Sequence, residues 1–299
     1  MVKKPKQHYR NLVNQLEDHG VAFELMPKGK AITFLEKNNY YYKVAAFRKN
    51  FKKKNDKYRN LDFQHLADLA TIDMYIRDTL LDVAINVEHF IKVELSRLIT
   101  NNTNEDGYTI VEDFSKTYPN YYQSIYERFR KSRYQKDMFQ KRGTVIPIWV
   151  LMEHMDFGCL LKLVELYYSK YKPKSLQKAK TIGNNARHIR NACAHNSVLM
   201  VNVFKDDEKL NRVTAEVNTF AKQKGVLRYR KYRKVNDLLS LIALSNTYCS
   251  SAVKHHQDIK IKNLIDRMQR YADGYNKTPE LVKMFIIFSK IVDNNTNIL

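Results

Sequence analysis

At 299 residues with 44% hydrophobic content, the chain can bury one large core or two modest ones, and its 52 Lys and Arg against 31 Asp and Glu give a formal charge of +21. That excess calls for a polyanionic partner, because without one it brings only self-repulsion. Gly (8) and Pro (6) are too scarce for a turn-rich β architecture, and Cys159, Cys193 and Cys249 are too scattered for a disulfide framework or a zinc knuckle.

The start, Met1 to Lys6, is basic but leads into no apolar signal segment, and no window reaches the roughly 18 apolar residues of a membrane span. A reducing cytoplasm is therefore expected. Residues 6–60 read as two helices and a basic tail: Leu12, Val13 and Leu16 at helical spacing stopped by Gly20, then a helix opening near Lys30 and carrying Ile32, Leu35, Tyr40 and Tyr41. Through residue 60 there are 15 basic and 5 acidic residues, with Lys52, Lys53 and Lys54 in the densest part.

From Ile72 to Ile99 the helical period is the clearest in the chain, with Ile76, Leu80, Val83, Val87, Ile91, Leu95 and Leu98 at three- and four-residue steps and Glu88 at the edge of the stripe. A polar loop at 101–107 leads to a Tyr-rich basic segment, Tyr121 to Arg142, which includes Arg128, Arg130, Lys131 and Arg133. Pro147 opens a helix interrupted at Gly158 and running to Tyr168. Another begins near Ser175, restarts near Gly183 and carries 187–195. Partial alternation around Asp206-Asp207-Glu208 reads as a small β-hairpin within 198–217. Residues 222–234 form a second basic run, followed by helices at about 236–254, 258–272 and 279–292. The expected whole is all-α: one compact unit over 1–299, with a basic N-terminal helical extension (1–60), a core (65–272) and a C-terminal helix (273–299).

The run Arg190-Asn191-Ala192-Cys193-Ala194-His195 carries the candidate chemistry. Five helical steps rotate about 140°, so Arg190 and His195 do not share a face, whereas Asn191 and His195, four apart, do. A long guanidinium can still reach round. An imidazole can take the proton of a ribose 2′-hydroxyl, and a guanidinium can hold the charge of a phosphorane, so RNA, which brings its own nucleophile, suits these groups without a metal. Alone the pair is a weak signal, equally met by a solvated Arg and a His that finishes a helix.

Arg187-His188-Ile189-Arg190-Asn191-Ala192-Cys193-Ala194-His195 resembles the Arg-Asn-x-x-x-His signature of HEPN domains, and its Cys-Ala-His form resembles abortive-infection proteins of the AbiD/AbiF type. Pro147-Ile148-Trp149 through Glu153 to Phe157-Gly158 is similar to that family's Pro-x-Trp…Glu…Phe-Gly block, and Leu35 to Tyr41 to its Leu…Asn-Tyr-Tyr block. The family's second histidine is absent; Asn196 follows His195 instead. The resemblance implies a helical HEPN core acting as an RNA-cleaving toxin in antiphage defence, with Arg190, Asn191 and His195 catalytic. Such sites join two motifs; this chain has one, which implies a homodimer. The resemblance also implies a small structured non-coding RNA as partner. Glu88 matches an acidic position of the family's long helix, which implies that it orients Arg190; by periodicity alone it is equally an exposed-face glutamate.

Arg228-Tyr229-Arg230-Lys231-Tyr232-Arg233-Lys234 interleaves cations with rings in a stretch, 218–236, that has no acid. This composition suits an RNA backbone with stacked bases, or a solvated helix face with snorkelling tyrosines. The 128–142 and 43–59 runs have the same character. His255-His256 lacks further ligands at metal spacing, and no phosphate-loop or hydrolase-elbow pattern occurs, so no metal and no organic cofactor is expected.

Overall fold

The strongest helical period folds as the longest helix, but it starts nine residues earlier than the apolar pattern suggests. The computed structural model describes residues 5–269, 275 and 278–292, and in it α4 runs Phe63–Thr100. Asp68, Asp73 and Arg77 lie on its buried face, so its first third does not read as an apolar stripe. The Asp62 carboxylate caps it, accepting the Gln64 N–H at 2.8 Å, while the Asp62 N–H donates to the His65 ring at 3.1 Å.

The N-terminal segment holds three helices rather than two, α1 (Tyr9–Asp18), α2 (Lys28–Lys37) and α3 (Tyr41–Ala46), with the break at Asn38–Tyr40. Val13, Leu16 and Leu35 belong to the same buried cluster as the α4 residues. Beyond them lies the one paired sheet among the described residues, an antiparallel two-strand ribbon of β1 (Lys53–Lys54) and β2 (Lys57–Tyr58). Asn55 and Asp56 turn it at φ of 51° and 59°, the left-handed pair that a tight hairpin turn needs.

After α4 come α5 (Thr109–Thr117), α6 (Pro119–Arg130), α7 (Lys136–Arg142), α8 (Ile148–Glu153) and α9 (Phe157–Tyr171). The interruption expected at Gly158 falls instead at His154–Asp156, because the Asp156 carboxylate starts a new helix by accepting the Cys159 N–H at 2.9 Å. Next, α10 (Gln177–Ala194) passes through Gly183 without a break. A Cβ there would lie 2.4 Å from the Leu161 side chain, so the glycine serves close approach of α9 and α10 rather than a helix start.

The hairpin expected within 198–217 does not form. Its first half is an irregular strap whose Leu199 and Met200 N–H groups bond the Asp73 carboxylate. The alternation at 213–217 is the entry to α11 (Ala215–Gln223), where the Thr214 hydroxyl accepts the Val217 N–H. Then follow α12 (Arg233–Tyr248), α13 (Ser251–Gln269) and α14 (Pro279–Val292). The expected helix to 272 and C-terminal helix over 273–299 lie partly outside the described residues. α4, α10 and α12 pack on one another, with α9 against α10 and α13 against α4. Among the described residues, no helix is long and apolar enough to cross a membrane.

Candidate functional site

The end of α10 is a Schellman motif. The Ser197 N–H donates to the Ala192 carbonyl at 2.8 Å and the Asn196 N–H to Cys193 at 3.0 Å, with Asn196 left-handed at φ 54°. Asn tolerates that conformation better than most residues, which gives the position after His195 a backbone role. His195 is thereby the C-cap residue, exposed, with no side-chain hydrogen bond or ion pair among the described residues.

Arg190 turns away from it, toward α4. Its guanidinium donates to the Asn191 side-chain oxygen at 3.2 Å and lies 3.6 Å from the Glu88 carboxylate, which is 12% exposed and also 3.8 Å from Lys92. Burial pushes the Glu88 carboxyl above the usual range, while Lys92 and Arg190 oppose the shift. Arg190, Asn191 and Glu88 are thus brought together, and His195 stands one turn further along the same helix.

The α8–α9 junction closes the site. Arg128 reaches from α6 to the Asp156 carboxylate (2.8 Å), the His154 carbonyl (3.0 Å) and the Cys159 sulfur (3.3 Å). Arg187, one turn before Arg190, crosses Gly158 so closely that a Cβ there would lie 3.0 Å from its Nη1. At the other end of the block, Trp149 covers Gly107 and is 53% exposed. Sequence reasoning singled out neither Arg187 nor Lys92. The only signal for Arg187 is its place three residues before Arg190 on a half-buried face of α10.

The basic runs separate into engaged and open cations. Lys234 points inward, its ammonium donating to the carbonyls of Val198, Leu199 (3.0 Å) and Val201, so it is not presented to a phosphate. Arg230 is held by the Asn218 side chain and the Leu227 carbonyl, Arg130 and Lys131 by Glu127, and Lys53 by Asp56. Arg133, Lys52, Lys54, Lys231 and Arg233 are exposed, and Arg228 lies over the Tyr229 ring at 4.6 Å. Lys283 of α14, which no sequence pattern flagged, stacks on Phe204 (4.4 Å) and Tyr229 (5.2 Å).

Among the described residues, no three metal-ligating side chains converge. The Cys193 thiol is buried on the inner face of α10, and burial pushes it up to about 12, which leaves it no nucleophilic thiolate. Beneath α10 is a cavity of about 300 Å³ lined by Leu80, Ile189, Met200, Leu238 and Phe288, with Asp237 at its wall.

A family model described as Abi-like protein matches residues 33–200, a span that holds the Leu35–Tyr41 block, the Pro147–Gly158 block and the run to His195. No curated protein and no solved structure matches the chain.

Proposed function

Since the chain belongs to the Abi-like protein family, whose members act in abortive infection, we propose that it is an HEPN-type endoribonuclease controlled by a bound structured RNA. The observation that carries this reading is Arg190 held between Glu88 and Asn191 on a helix that ends in an exposed His195, which has no side-chain hydrogen bond among the described residues.

In the proposed reaction, the His195 imidazole takes the proton of a ribose 2′-hydroxyl. The 2′-oxygen attacks the adjacent phosphorus, the bond to the 5′-oxygen breaks, and that oxygen leaves with a proton from a second imidazole. Arg190 holds the charge of the phosphorane through its fork of N–H donors. The product ends are a 2′,3′-cyclic phosphate and a 5′-hydroxyl. No step needs a metal, because the substrate supplies the nucleophile.

The second imidazole comes from a second copy of the chain. Asn184, His188, Asn191 and His195 recur at four-, three- and four-residue steps, so they form one stripe along α10. Asn184, His188 and His195 are exposed, and Asn191 is half-buried. Pairing two such stripes supports a homodimeric composite site.

The test is His195→Ala. The variant is expected to retain its melting temperature, since the exposed ring makes no hydrogen bond or ion pair among the described residues, and to lose RNA cleavage; EDTA is expected to leave wild-type cleavage intact. Wild-type rates in the variant, or loss of activity with chelator, overturn the mechanism. A second reading, an RNA-binding protein that does not cut, is favoured by the cation–ring stack of Lys283, Tyr229 and Arg228. It is distinguished by tight binding with no cleavage of any RNA by the wild-type protein.

A further inference from the structure

Four cations surround the first turn of α9: Lys92, Arg128, Arg187 and Arg190. Two carboxylates serve them. Glu88 is shared between Lys92 and Arg190, and Asp156 is taken by Arg128 and by its own cap on Cys159. Arg187 is the cation left over. It has no ion pair or hydrogen bond among the described residues, and its buried Nε lacks a partner. A lone guanidinium, half-buried and laid on the positive end of a 15-residue helix, is electrostatically unfavourable unless an anion joins it. Three residues apart on one helix, Arg187 and Arg190 have neighbouring side chains.

We propose that Arg187 is the second guanidinium of this site, and that with Arg190 it seats a phosphodiester of single-stranded RNA over Gly158. The inference rests on the ribonuclease reading for the identity of the anion. It also gives a reason for glycine at 158: a Cβ would lie 3.0 Å from the guanidinium and 3.2 Å from the Asp156 carboxylate. Asp156 lies beside the seat with both oxygens engaged, one by the Cys159 N–H and one by Arg128, which offsets its charge there.

The test measures binding of a single-stranded RNA with 2′-O-methyl riboses, which cannot be cut by the proposed route, to the full chain over a series of salt concentrations. Each phosphate contact to a single strand contributes about 0.7 to the slope of log K against log salt. Arg187→Met, which keeps the packing of the stem, is expected to weaken binding by about tenfold at low salt and to lower the slope by about 0.7 to 1; Arg187→Lys is expected to keep the slope. An unchanged slope in Arg187→Met, with a lowered melting temperature, makes Arg187 a packing residue and overturns the proposal.

Gly158→Ala gives an independent arm. A Cβ there meets the Arg187 side chain first and the capping Asp156 oxygen at 3.2 Å, with no backbone atom among its nearest contacts, so it is expected to weaken RNA binding with little change in melting temperature. Wild-type affinity in that variant also overturns the seat. Cleavage surviving in His195→Ala removes the ribonuclease reading and leaves the slope result standing as a measure of the seat alone.

Discussion

Asp73 accepts the backbone N–H of Met200 at 2.9 Å, joining α4 to the strap after the candidate site across 127 residues of sequence. The same oxygen accepts the Leu199 N–H at 2.8 Å, and the other oxygen is paired with buried Arg77. From the opposite side Lys234 holds three carbonyls of the strap, and the Asn50 side chain donates to the Met200 carbonyl at 2.9 Å. The strap has no ladder of its own, so these side chains supply the partners that its buried backbone requires.

Removing one end of this clamp strands the other. Asp73→Ala leaves Arg77 without its carboxylate and two N–H groups without an acceptor, and is expected to cost about 3–5 kcal/mol in urea unfolding. Lys234→Met leaves three carbonyls of the strap without their donor and is expected to cost about 1–3 kcal/mol. A loss under half a kcal/mol in both would show that the strap is held by its apolar contacts.

Among the described residues, Glu88 forms ion pairs with the cations of the site, Lys92 and Arg190. Glu88→Gln keeps the shape and removes the charge that aims Arg190. Stability is expected to change by less than about 1 kcal/mol, because the carboxylate's burial cost is removed along with its attraction. Under the proposed ribonuclease function, single-turnover cleavage is expected to fall by about ten- to hundredfold with RNA affinity unchanged, because a misaimed guanidinium harms the transition state more than the bound state. Equal loss of binding and cleavage would place Glu88 in binding instead.

Asp237, at the wall of the cavity under α10, has its carboxyl pushed up to about 7 by burial, against the pull of Arg233. The folded state therefore holds the proton more tightly than the unfolded chain does. This contribution to stability is fully present below about pH 4 and is lost as pH rises toward 7 and through it. Asp237→Asn is expected to flatten that limb and to gain about 1–2 kcal/mol at pH 8, allowing for the residue's partial exposure. Chemical denaturation of both proteins at pH 5 and pH 8 checks the sign; a variant that is less stable at pH 8 contradicts it.

Much of the helical order is legible in the sequence: the last two thirds of α4 follow from apolar spacing, and helices near α10, α12 and α14 are expected close to where they form. The misreadings share one cause. Gly183 and Gly158 look like breaks in isolation, yet they are places where Leu161 and Arg187 come close to a helix. The alternation at 198–217 looks like strands, but the backbone partners of its first residues, 198–201, are Asp73 and Lys234, more than thirty residues away. The hairpin that does form, at Asn55-Asp56, has a turn signal but no apolar alternation to announce it.

By itself the sequence determines the all-helical class, the strong positive charge and the chemical groups at Arg190, Asn191 and His195, because these depend on composition and on neighbours along one helix. Only the tertiary structure decides that Glu88 meets Arg190, that Lys234 is spent on the strap, and that Arg187 lies over Gly158 with no ion pair among the described residues. Charge pairing depends on distance in space, and residues a hundred apart in the chain carry no local signal of it. The site was readable as a set of groups; its electrostatics were not.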